Sequence, residues 1–173
     1  MRFLELALMT LVSSVVIAKL YVWPWLLTMK RDSALVTLVA PHMFLRFIGL
    51  SFLVHGVVSP LLPRAFAVPA AYGDFVAGVL AIIATLALSR RASWAITAVW
   101  VFNVWGTADL LFAFYQGPRL PIHPGDLGAA FFIPTAIVPL LLVAHALIFL
   151  LLVRPNSWNS AAESAISSRQ AKP

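Results

Sequence analysis

Of 173 residues, 62% are hydrophobic and only 10% charged, against about 25% charged in ordinary soluble domains, so the chain has too little polar surface to cover a water-soluble fold. Cysteine is absent, which excludes disulfides, thiolate metal sites, cysteine nucleophiles and cysteine-attached haem. The formal charge of +6 comes from twelve Lys and Arg spread over short connections; with no basic stripe, it speaks for membrane topology and against nucleic acid.

Five apolar stretches follow in order, at about 3–28, 36–59, 70–89, 93–115 and 130–153, each near the ~20 residues needed to cross a bilayer core. The first carries Glu5 near its start and Lys19 in its second half. Its competing reading is a signal peptide cleaved after Val16-Ile17-Ala18. Tyr21 to Leu27 continue the apolar run past that cut, and cleavage would invert every later segment and export Arg90-Arg91. Retained, the segment starts outside the cell. Lys30, Arg31, Arg90, Arg91, Arg154, Arg169 and Lys172 then lie on the cytoplasmic side and only Arg2, Arg64 and Arg119 outside, as the positive-inside rule requires.

On the second segment His42, Arg46, Gly49, Leu53 and Gly56 recur at helical spacing and form one stripe, from which His55 diverges by roughly 140°. The third aligns Asp74, Gly78, Ala81 and Thr85, a small-residue face that lets membrane helices approach closely. The fourth carries a polar ridge of Asn103, Gly106, Thr107 and Asp109. Between Gly117 and Asp126, three prolines and two glycines make a stiff, folded connection. The fifth segment holds His145, with Pro134 and Pro139 as expected kinks. Residues 155–173 turn polar and read as a disordered cytoplasmic tail, so the membrane domain is residues 1–154.

Helical rise turns these positions into depth. Asp74 and Asp109 fall roughly 6 and 9 Å below the outer boundary, with His55 at their level and Asn103 on the same ridge. Lys19, His42, Arg46 and His145 fall about 6–14 Å from the cytoplasmic boundary, a basic layer suited to anionic lipid or another anion. Arg46 and Asp109 are thereby expected in different leaflets.

The expected fold is all-α: an integral bundle of five transmembrane helices in the cell membrane, N-terminus outside and C-terminus cytoplasmic. The expected function is binding of a small ligand or cation in an outer-leaflet pocket between helices two, three and four, lined by His55, Asp74, Asn103 and Asp109, because buried carboxylates are costly in lipid and mark functional sites by default. No metal site is assigned and no cofactor is specified. Two alternatives stand beside it. One is a membrane enzyme or haem-type redox subunit acting on a lipophilic substrate, with His42 and His145 as the axial pair. The other is an accessory subunit without chemistry, held by a membrane-protein partner or by copies of itself. Hydrolase, metalloprotease, P-loop and dinucleotide signatures are all missing from the sequence.

Overall fold

A computed structural model describes residues 3–153. The expected tail and the charges Arg2, Arg154, Arg169 and Lys172 lie outside the described residues. Five helices are long and apolar enough to span a membrane: α1 (Leu4–Leu26), α2 (Arg31–Leu53), α3 (Arg64–Ser89), α4 (Ala95–Arg119) and α5 (Ile133–Val153). Lys30, Arg31, Arg90 and Arg91 cluster at one end of the bundle, the basic end. The connections 54–63 and 120–132 lie at the other, the loop end.

The helices are not uniform, and their irregularities follow the prolines. In α1 a π-turn, Ala18–Val22, precedes Pro24, and in α5 another, Ile133–Ile137, contains Pro134 and precedes Pro139. A proline has no N–H to give to the preceding turn, and widening that turn accommodates the missing bond inside a continuing helix. In α2 an α-helical stretch, Arg31–Val39, passes through a short turn, His42–Leu45, into a 3₁₀ stretch, Phe47–Leu53. Val54 is extended and Gly56 takes φ 84°, a conformation glycine adopts without a Cβ clash; α2 therefore ends before His55.

Helices α2, α3, α4 and α5 form a closed ring in which each packs against the next and α5 returns to α2. The small-residue face of α3 lets it sit against both neighbours: Ala71, Ala77, Ala81 and Ala84 are fully buried. Helix α1 lies outside the ring and packs on α5 through Ala7, Ser14 and Ala18, while Leu8, Val12, Val16 and Leu20 stay exposed. At the basic end, Arg31 Nε and Nη2 donate to the carbonyls of Leu151 and Leu152 at 3.0 and 3.3 Å, tying the start of α2 to the last carbonyls of α5. At the loop end, Ala129 and Ser59 cross-bond the two connections through Val57 O and Asp126 O.

Two apolar cores fill the ring. One, around Leu35, Val39, Phe102, Ile148 and Leu151, lies toward the basic end. The other, around Phe52, Phe66, Leu110, Leu127 and Leu141, lies toward the loop end. Between them is a polar layer.

Candidate functional site

Each ring helix sends side chains into that layer. Arg46 of α2 is fully buried. Its Nη1 donates to Asp74 Oδ1 on α3 at 2.7 Å and to Asp109 Oδ2 on α4 at 2.9 Å; its Nη2 donates to the Gly106 carbonyl of α4 at 2.7 Å and meets His145 Nε2 of α5 at 2.9 Å. One guanidinium thus bonds to all three other helices of the ring. Charge-assisted bonds of this length are the strong class, and the fork of the guanidinium is what allows two nitrogens to serve four acceptors.

Asn103 completes the layer on α4. Its Nδ2 donates to the His145 carbonyl at 3.2 Å, and its Oδ1 meets His145 Nδ1 at 2.7 Å. His42 is also fully buried, one turn before Arg46 on α2, with its ring 4.7 Å from that of His145 and 5.1 Å from Phe102. Both His42 nitrogens and Arg46 Nε have no hydrogen-bond partner among the described residues.

Backbone approach makes the layer possible. A Cβ on Gly49 would collide with the Asp74 carboxylate, and one on Gly73 with that of Asp109. A Cβ on Gly106 would lie 2.7 Å from His145 Nε2 and 2.8 Å from Arg46 Nη2. These three glycines, one on each of α2, α3 and α4, are where the side chains of the layer find room.

Several expected placements change. His55 is exposed, beyond the end of α2, in the connection to α3; it does not share a level with the two aspartates. Lys19 is exposed on α1, outside the ring, and takes no part in the layer. Arg46 is not in the leaflet opposite Asp109 but bonded to it. The cause is in the helix limits. Helix α3 begins at Arg64, not 70, and α4 with its 3₁₀ end reaches Arg119, not 115. Asp74 and Asp109 are each ten residues in from those limits, or about 15 Å. Helix α2 ends at Leu53, not 59, which brings Arg46 to within about 14 Å of the same end at 3₁₀ rise. All three meet near mid-bundle. Asp74, Asn103, Asp109, His42, Arg46 and His145 therefore form one layer and not two.

The geometry also bears on a haem between His42 and His145. With ring centroids 4.7 Å apart, and with Phe102 against both rings, no porphyrin fits between them. Both nitrogens of His145 are already engaged. Likewise the space between Asp74 and Asp109 that a cation would take is filled by Arg46 Nη1.

Gly49 and Gly106 stand in the sequence on the stripe of Arg46 and the ridge of Asp109, without an indication of what they face; Gly73, beside Asp74, carries no such signal.

The chain belongs to a family described as a domain of unknown function, DUF8737, whose model matches residues 2–153, the extent of the helical bundle. No curated protein and no solved structure matches it.

Proposed function

We propose that the chain is a multi-pass protein of the cell membrane, N-terminus outside and C-terminus cytoplasmic, whose working element is the Arg46 layer, and that this layer takes up one positive charge as a proton. The observation that carries the reading is the count of charges: two carboxylates face a single guanidinium between two apolar cores. With both aspartates ionised, one negative charge is left uncompensated where ionic desolvation is most costly. The orientation rests on Lys30, Arg31, Arg90 and Arg91 at one end against Arg64 and Arg119 at the other.

Asp109 is the acceptor. It holds Arg46 at the longer distance, 2.9 Å against 2.7 Å for Asp74, and so receives the weaker compensation from the one guanidinium. The test is infrared spectroscopy of the membrane-reconstituted protein at neutral pH, paired with native mass spectrometry. A protonated-carboxyl band is expected in the wild type and absent in Asp109→Asn, which should accumulate normally. Two ionised carboxylates would overturn the reading.

A second reading is a purely architectural one, an accessory subunit whose layer locks four helices. It is favoured by the close fit of Gly49, Gly73 and Gly106 against the charged groups. In that case Asp109→Asn changes no bound species, and a partner protein copurifies in fixed ratio.

A further inference from the structure

Between the polar layer and the loop end lies an apolar cavity of ≈ 370 Å³, walled by Leu4 of α1, Phe66 of α3, Phe114 of α4, Ile122 and Leu127 of the loop, and Val138 of α5. It is stacked over the layer. Phe66 is seven residues from Gly73, Ala113 of the same wall seven from Gly106, and Val138 seven from His145, and a step of seven returns to the same helix face. Leu110 and Leu141, at intermediate positions on those faces, are both buried. Apolar packing therefore separates the cavity from the charges, so its occupant is apolar and does not reach Asp109.

The volume falls in the range of real ligand pockets. It equals roughly a dozen times the ~30 Å³ share of a liquid water. A chain methylene has similar bulk, so the space matches most of one acyl chain and is too small for two. The residue next to the wall adds a charge. Gly117 and Pro118 belong to the wall, and the next residue, Arg119, is exposed, with its guanidinium 3.5 Å over the Tyr115 ring and Nη1 donating to the Tyr115 carbonyl at 3.1 Å. Among the described residues it has no ion pair. Of the acids adjoining the wall, Asp126 is buried and accepts from the His123 N–H at 2.8 Å, and Glu5 follows Leu4 on α1.

We infer that this cavity holds one acyl chain of an anionic glycerophospholipid taken from the surrounding bilayer, with its phosphate on Arg119. Charge and shape select together: the cavity accepts a chain from any lipid, and the guanidinium of Arg119, one residue past the wall and without an ion pair among the described residues, prefers a headgroup with net negative charge. The inference rests on the membrane reading above and is independent of the charge taken up by the Arg46 layer.

The test is native mass spectrometry of the full chain extracted from vesicles of equal phosphatidylglycerol and phosphatidylcholine. One retained phosphatidylglycerol is expected, at least tenfold over phosphatidylcholine. Ala113→Trp, which fills the cavity, should lose both lipids, with Val138→Phe as a second filling variant should the first fail to accumulate. Arg119→Gln should keep a bound lipid but lose the preference. Equal retention of the two lipids by the wild type, undiminished retention in a filling variant, or retention of a neutral apolar molecule in place of phospholipid would each overturn the proposal. None of these variants touches Asp109, so the infrared signature of the layer reports separately on the other reading.

Discussion

Asn103 Nδ2 donates to the backbone carbonyl of His145, and this bond fixes the protons of the layer. A carbonyl only accepts, so the amide nitrogen must face it and Oδ1 must face the ring. Oδ1 also only accepts, so His145 Nδ1 carries the proton. Arg46 Nη2 only donates, so His145 Nε2 receives its bond. The expected outcome is a neutral, Nδ1-protonated imidazole, read from the two ring ¹⁵N shifts of His145 in the reconstituted protein. An imidazolium or an Nε2-protonated ring would contradict it. Asn103→Leu should release the tautomer and cost about 1–3 kcal/mol, since it leaves the buried Nδ1 of His145 without a partner.

Much of the architecture was legible because apolar runs of span length and the charges between them are composition-level signals. The common level of Arg46 and Asp74 was not. For Arg46 the expected helix ran past Leu53; for Asp74 it began after Pro69, a proline six residues into α3 that the helix tolerates because the carbonyl it deprives is that of Ala65, exposed near the helix end. Six residues of helix are about 9 Å of depth, enough to assign one bonded cluster to two leaflets. His55 failed for a different reason. Its apolar neighbours Val54, Val57 and Val58 extend the hydropathy past the helix, although the backbone is already extended at Val54 and turns at Gly56. The pairing of Arg46 with Asp74 was beyond the sequence because helical phase describes one helix at a time and does not say which faces meet.

The glycines divide into two groups, and that division is measurable. Gly49→Ala, Gly73→Ala and Gly106→Ala each place a methyl onto a carboxylate, an imidazole or a guanidinium held by other bonds. Overpacking of this kind costs about 1–3 kcal/mol. Gly117→Ala and Gly125→Ala meet open space and should stay within ±0.5 kcal/mol, as surface changes do. Melting of all five variants in one lipid or detergent should separate the groups; a cost at Gly125 equal to that at Gly106 would refute the close-approach account.

Arg31 supplies a cap from a distance of 120 residues. Its two bonds reach carbonyls in the last described turn of α5, and its charge complements the negative side of that helix dipole. Arg31→Ala should lower stability by about 1–2 kcal/mol, with Arg31→Lys recovering only part because a single ammonium does not reproduce the paired geometry. Faster amide hydrogen exchange confined to the last turn of α5 and the start of α2 is the accompanying sign.

The strongest constraint is on Arg46. Arg46→Met removes the one cation between two carboxylates, and breaking a buried ion pair from one side costs about 3–5 kcal/mol because the other charge is stranded. The variant should fail to accumulate. Arg46→Lys should be nearly as damaging, since an ammonium cannot place two nitrogens among Asp74, Asp109, Gly106 and His145 as the guanidinium does. If charge stranding is the cause, neutralising the partners repairs it: Arg46→Met with Asp74→Asn and Asp109→Asn should accumulate at or near wild-type level while losing the protonated-carboxyl band. A triple variant as unstable as Arg46→Met alone would locate the contribution of Arg46 in its bonds to Gly106 and His145 and not in its charge.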